Sequence, residues 1–142
     1  LTEPEAIRLA DLMHVVGDIE RIGDHCVNVI ELSEYKTKEG LKFSTQANQE
    51  LENIFNLTSE MVSNAIEALR NTDFVAAHRV LDLEKKMDKL EEELRYNHLN
   101  RLNQGTCNPP SAVCYVELMH NLERIADHCN NIGEAVLDLE KQ

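Results

Sequence analysis

Two pairs of acidic residues in this chain share one spacing, Glu20 with Asp24 and Glu123 with Asp127. Each pair opens a twelve-residue stretch, "ERIGDHCVNVIE" at 20–31 and "ERIADHCNNIGE" at 123–134, and eight of the twelve positions are identical at a constant offset of 103 residues. A third Glu-x-x-x-Asp pair, Glu84 and Asp88, lies in "LEKKMDKLEEEL". Carboxylates at i and i+4 are neighbours on a helix surface. Without a cation they repel, and beside a core they also lose hydration. A metal ion is one counter-charge that holds them: oxygen-rich clusters suit Mg, Mn or Fe, and mixed oxygen and nitrogen sets suit Zn or Ni. Arginine is the other, and Arg21 and Arg124 are repeated along with the acids. A salt-bridge network therefore competes with metal binding, and Glu84–Asp88 taken alone in its Glu/Lys-rich run reads as solvated surface.

Helical phase says which residues of the repeat share a face. Advancing about 100° per residue from Glu20 brings Asp24 to about +40° and Glu31 to about +20°. Leu9, Val16 and Val27 fall between about −40° and −20° on the same scale, so the acids are expected at the edge of an apolar stripe. His25 lies about 140° round, away from that stripe. The second copy repeats the layout, with Glu123 and Asp127 flanking Val116, Met119 and Leu137. Glu84 and Asp88 share a stripe with Ala77, Val80, Glu91 and Leu102. Glu31 and Glu134 are further candidate contributors.

Two Asp/Glu-x-x-His runs, "DLMH" at 11–14 and "ELMH" at 117–120, have the spacing used in ferritin-like di-iron bundles. Their phase argues against it. Asp11 lies about 180° from Glu20, while His120 lies about 60° from Glu123, so the two copies cannot face one interior site. His120 remains an auxiliary ligand candidate, and His14, His78 and His98 read as surface or interface residues. No nucleophile–base pair, phosphate-binding loop or dinucleotide fingerprint is present, so an enzyme is not indicated.

The elements that must position these residues are four long helices, at about 3–34, 45–70, 73–103 and 111–140. Thr2 is an expected N-cap with Glu5 closing a capping box, and Pro4 suits the first turn. "YKTKEGLKF" is expected to break the first helix, Ser44 to precede the second and "NTD" at 71–73 to separate the second and third. Gly105 is a stop signal, and Ser111 is the expected cap of the fourth helix after the loop "GTCNPPS". Short connections imply antiparallel neighbours. The fold class is therefore all-α, an up-down antiparallel four-helix bundle.

The bulk composition agrees. With no Trp, 4% aromatics, five Gly and three Pro among 142 residues, the core must be aliphatic and the helices long. The net charge of −12, from 26 acidic and 14 basic residues, disfavours nucleic acid and anionic membrane surfaces and favours metal cations or basic protein partners. The four cysteines form no CxxC pair; Cys26 and Cys129, mid-helix among apolar neighbours, read as small buried hydrophobes in a reducing compartment, and Cys107 is expected in an exposed loop. No run of about 18 apolar residues is present, so no insertion into a membrane is expected. The chain begins at Leu1 directly on helix signals, which is expected of a piece of something longer.

The two long stretches resemble the paired signature of the PhoU family, built from duplicated three-helix units. The resemblance implies that the Glu/Asp-x-x-x-Asp pairs Glu20/Asp24, Glu84/Asp88 and Glu123/Asp127 bind metal ions or small metal clusters. "EYKTKEGLKFSTQANQEL" and "HLNRLNQGTCNPPSAVCYVELMHNLERIADHCNNI" are similar to the cytosolic C-terminal region of bacterial sodium/phosphate cotransporter-like proteins. That similarity implies a cytoplasmic regulatory domain in phosphate transport, with a membrane-embedded transport portion, on the same parent chain, as its partner. Against the family pattern, residues 1–142 supply the last helix of one three-helix unit and a complete second unit. The first unit's counterpart of Glu84–Asp88 would lie upstream of Leu1, leaving that metal site incomplete. Exposed faces left by the missing helices are expected to drive homodimerisation or helix exchange. The alternatives are a ferritin-like di-metal enzyme and a purely structural helical interaction domain.

Overall fold

A computed structural model describes residues 1–141; Gln142, the last residue of the expected domain, lies outside the described residues. The chain folds into four helices, α1 (Glu3–Lys38), α2 (Thr45–Asn71), α3 (Phe74–Asn103) and α4 (Pro109–Glu140). Each starts at a side-chain cap that satisfies an otherwise orphan amide of the first turn. Thr2, Ser44 and Asp73 take this role for α1, α2 and α3.

Two boundaries differ from expectation. Helix α1 continues through Tyr35–Lys38, because no breaker precedes Gly40 (φ +63°), and Lys36 and Lys38 suit the negative end of the helix dipole. Helix α4 is capped by Asn108, not Ser111: Asn108 Oδ1 accepts from the Ser111 amide at 2.9 Å. Pro109 and Pro110 occupy the first turn, where a fixed φ helps and the missing N–H goes unused.

Cross-helix contacts fix the directions. Asp18 meets His128 and His25 meets Asn121, so α1 and α4 run antiparallel. Arg95 meets Glu123 and Leu81 meets Gly133, so α3 is antiparallel to α4; Arg101 meets Glu50 and Arg79 meets Glu60, so it is antiparallel to α2 as well. The up-down order follows. Helices α2, α3 and α4 pack mutually into a three-helix unit, whereas α1 packs along α4 alone. Helix α4 is therefore central and buried on most of its circumference.

The core is aliphatic, with Ile54 and Met61 of α2, Val80, Met87 and Leu94 of α3, and Cys129 of α4 essentially removed from solvent. Helices α3 and α4 come closest at Gly133, where an added Cβ would stand 2.9 Å from Leu81 Cδ1 and 3.3 Å from the Ala77 carbonyl oxygen. One end of the unit is held by a buried ion pair, Arg101–Glu50 at 2.8 Å. Tyr115 Oη and Asn97 Nδ2 each donate to the same carboxylate at 2.8 Å. Burial pushes Glu50 up, but the bonds from Arg101, Tyr115 and Asn97 outweigh it and hold the group below the usual carboxylate value. Cys129 is buried as expected, with its thiol pushed up to about 12 chiefly by desolvation, but Cys26, its counterpart in the repeat, is exposed.

Candidate functional site

The repeated stretch has two faces, and the structure uses them differently. One face makes the α1–α4 seam. His25 Nδ1 donates to Asn121 Oδ1 at 2.8 Å, and Asn28 Nδ2 donates to the same oxygen at 3.1 Å. Across the seam, His128 Nδ1 donates to Asp18 Oδ1 at 2.8 Å, and Asn131 Nδ2 donates to the same oxygen at 3.2 Å. At the 103-residue offset Asp18 matches Asn121, His25 matches His128 and Asn28 matches Asn131. The two sets of bonds are thus images of each other about a pseudo-two-fold axis, and the two imidazoles stack near its centre, 5.8 Å apart with 23° between planes. The repeated His and Asn are the contact between the two copies, a role that single-helix phase placed off the candidate face without naming. The spacing alone held a signal: Asp18 and Asn121 each lie seven residues, two turns, before the repeated His.

The other face carries the acids. On α4 it packs toward α3 and brings Glu123 and Asp127 together with Glu84, Asp88 and Glu91. Burial raises Glu84 to about 8, with the charges of Asp88, Asp127 and Glu91 adding to the effect. Burial likewise raises Glu91 to about 7, helped by Glu123, Asp127 and Asp88 and opposed by Arg95. Glu123 and Asp127 are also raised, burial being the largest cause for each. The one cation in direct contact is Arg95, whose Nη2 lies 3.2 Å from Glu123 Oε2. Glu123 is 8% exposed and Glu84 half-buried, yet Glu123 Oε1 and Glu84 Oε2 are buried without any hydrogen-bond partner. His120 is near enough for its charge to favour the ionised forms of Glu123 and Asp127.

Four of the six expected residues, Glu84, Asp88, Glu123 and Asp127, are therefore brought together, and Glu91 joins them. Helical phase placed Glu91 on the Glu84–Asp88 stripe, but its role appears only when α3 faces α4. Glu20 and Asp24 are not part of this cluster. They are exposed on α1, which does not approach α3. The stripe they flank is also exposed: α1 docks through Val15, Ile22 and Val29, about 180° round from Glu20. Neither Glu31, exposed on α1, nor Glu134, which accepts from Asn130 Nδ2 at 3.3 Å, reaches the α3–α4 acids. Asp11 and His14 line a different cleft of about 420 Å³ with Arg21 and Asp138. His78 is exposed and pairs with Glu140, while His98 is buried and stacks on Tyr115. Among the described residues Arg21 and Arg124 make no direct ion pair, but Arg124 is near enough to Asp127 for its charge to favour the ionised carboxylate.

The cluster is a concentration of hard oxygen donors with too little positive charge. As the side chains stand, no group of three or more His, Cys, Asp or Glu among the described residues is gathered as a metal cage. Glu84 Oε2 and Glu123 Oε1 are left without a partner, and added positive charge there would offset the desolvation and the repulsion that raise these pKa values.

The fold and site define an all-helical domain with a duplicated acidic signature helix and no strand among the described residues. A family model described as the PhoU domain matches residues 1–33 and 51–136, and the chain belongs to the PhoU family. It is 31% identical over 124 residues to the phosphate-specific transport system accessory protein PhoU homolog 1 of Thermotoga maritima, covering 87% of this chain and 53% of that protein. It is 28% identical over 131 residues to the corresponding PhoU homolog of Xylella fastidiosa, covering 89% of this chain and 52% of that protein. An uncharacterised protein of Methanocaldococcus jannaschii is 29% identical over 132 residues, or 90% of this chain and 42% of its own length. The chain thus spans about half the length of these curated relatives. No solved structure matches.

Proposed function

We propose that this chain is a metal-binding regulatory domain in phosphate transport, and not a catalyst. The observation that carries the metal reading is the α3–α4 cluster, where Glu123 keeps a buried oxygen without a partner while neighbouring carboxylates are forced toward their neutral forms. Glu84, Asp88, Glu123 and Asp127 would hold the ion, with Glu91 beside them and Fe, Mn, Mg, Zn or Ni as candidates. A bound cation would neutralise the cluster and draw α3 to α4, making the packing of the domain responsive to metal. Glu20 and Asp24 would bind only with donors from outside this chain. No helix among the described residues is long and apolar enough to cross a membrane. The phosphate-transport role is supported by family membership and by relatives named as accessory proteins of a phosphate-specific transport system. A cytoplasmic domain of a sodium/phosphate cotransporter-like protein, with the transport portion on the same parent chain, is the finer reading, supported by the resemblance of the α1–α2 and α3–α4 segments.

Elemental analysis of protein purified without chelating resin tests the metal reading. The expected result is retained metal, or a rise in melting temperature on adding Mn(II) or Fe(II) to chelator-treated protein, with both lost in Asp127→Asn. No retained metal together with no thermal shift would sink it. The transport reading is tested separately, by phosphate uptake in cells whose chromosomal copy carries the same substitution; unchanged uptake at every phosphate level would remove it.

A further inference from the structure

Buried side-chain atoms without a hydrogen-bond partner occur in two places among the described residues. Two are acceptors of the α3–α4 acids, Glu84 Oε2 and Glu123 Oε1; the other two, Arg101 Nη2 and Ser111 Oγ, can donate and lie where α3 ends and α4 begins. Arg101 is 7% exposed and Ser111 3%. Arg101 Nη1 donates to Gln46 Oε1 at 3.1 Å. Nη2 lies 2.8 Å from Glu50 Oε1, but its N–H bonds do not point along that contact, and Tyr115 Oη already donates to the same oxygen at 2.8 Å. A buried guanidinium nitrogen with hydrogens left over is costly, because it donates only and has given up its water.

Arg101 lines a cavity of about 190 Å³ at this end of the three-helix unit. Ser44 bounds it where α2 begins and Asn108 where α4 begins, so two helices turn the positive ends of their dipoles toward it. Lys42, His98 and Thr106 complete the polar wall, and no carboxylate lines it, on a chain of net charge −12. Lys36 adds a further positive charge outside, 4.8 Å from the ring of Phe43 in the same wall. Ser111 precedes Tyr115 of the wall by one turn on the same face of α4. The volume is below the roughly 300–1,000 Å³ of sites for drug-sized ligands, so an occupant must be small. A water molecule could meet one orphaned donor, but it brings no charge to answer Lys42 and the two dipoles.

We infer that this cavity is an anion site for a phosphate group, bound by Lys42 and Arg101 at the converging starts of α2 and α4. Glu50 does not take that place. It is held behind the cavity by Arg101, Tyr115 and Asn97, and so fixes the guanidinium rather than covering its free hydrogens. A tetrahedral oxyanion offers acceptors in several directions, which suits donors arriving from α3, α4 and the segment before α2 better than a planar carboxylate does. The site is separate from the acidic cluster: Arg101 stands ten residues beyond Glu91, about 15 Å along α3. The inference rests on neither the metal reading nor the transport reading.

The test titrates chelator-treated protein with inorganic phosphate at constant ionic strength, following backbone amides by NMR. A second arm uses N-acetyl-phosphoserine amide, and a third uses acetate. Saturable one-to-one binding of phosphate is expected, with the amides of residues 42–47 and 106–108 moving most. Lys42→Glu should weaken it at least tenfold and Lys42→Gln several-fold. Lys89→Gln, a charge removed from α3 outside the cavity, should leave it unchanged. Lys42 and Lys89 are both exposed, so unchanged melting curves will show that the fold persists. Tighter binding of the phosphoserine amide than of phosphate would support the site and assign the group to a phosphorylated chain; the reverse would support it and assign the free ion. Shifts that never saturate, acetate binding as tightly as phosphate, or full binding by Lys42→Glu would each overturn the inference, and the first would leave the cavity to water.

Discussion

Helices α1 and α4 carry one sequence pattern in two environments. Ile19 and Leu122 match at the 103-residue offset, yet Ile19 is 49% exposed and Leu122 4%. Cys26 is exposed and Cys129 fully buried; Glu20 faces solvent while Glu123 is enclosed between α3 and Arg95. The residues are nearly the same, so the difference comes from what packs on them. Helix α4 receives two helices on the acidic-apolar face and α1 on the His-Asn face, whereas α1 receives α4 on its His-Asn face and nothing on the other. A motif therefore specifies which faces a helix offers, and the chain's other elements decide which of them become a core or an electrostatically strained site.

The largest separation between the copies is expected from cavity-forming substitutions at matched positions. Leu122→Ala should cost about 2–5 kcal/mol in urea unfolding, because buried apolar contacts and packing are both lost. Ile19→Ala should stay within about 1 kcal/mol, because its side chain is already half in water. Equal losses would mean that the exposed face of α1 is covered in solution.

A second separation concerns charge and pH. A carboxyl whose pKa is raised in the folded state binds its proton more tightly there than when unfolded. Its unfavourable contribution is absent below the unfolded value of about 4.5 and grows as pH rises through the folded values, about 8 for Glu84 and about 7 for Glu91. Stability of metal-free protein should therefore fall between about pH 5 and pH 8. Asp127→Asn should raise the melting temperature at pH 8 by relieving repulsion, while Asp24→Asn, at an exposed position, should leave it unchanged. Differential scanning calorimetry of the two variants at pH 5 and pH 8 distinguishes these outcomes. A loss of stability in Asp127→Asn at pH 8 without metal would show that the carboxylate is held by a protein cation after all.

The smallest effect is expected where the copies differ chemically within the seam. Asp18 stands where the second copy has Asn121, so Asp18→Asn makes the two hydrogen-bonded sets alike. An amide oxygen still accepts from His128, and the change should cost about 1 kcal/mol or less. Hydrogen exchange of the α1 amides, which open with the seam, is the sensitive readout. Asp18→Ala removes the acceptor for both His128 and Asn131 and should speed that exchange much more.

The readable parts of the sequence were those governed by local rules. Thr2, Ser44 and Asp73 cap helices because short oxygen side chains satisfy first-turn amides, whatever the rest of the chain does. The loop around Pro109 is legible, but the cap falls on Asn108 and not on Ser111, because the preference of Pro for the first turn moves the cap three residues earlier. Cys26 reads as buried by analogy with any apolar mid-helix position, and its exposure follows only from α2 lying too far away to cover it.

The sequence by itself determined that the chain is all-helical, that its acidic pairs lie one turn apart, and that one helix occurs twice, because hydrogen-bond periodicity, side-chain caps and identity at a fixed offset are properties of the chain alone. Tertiary structure decided which acidic pair faces another helix, that Glu91 joins it, and that the repeated histidines stack on each other across the seam. Burial and the approach of one helix to another are relations between distant segments, and they raise the pKa values of Glu123 and Asp127 on α4.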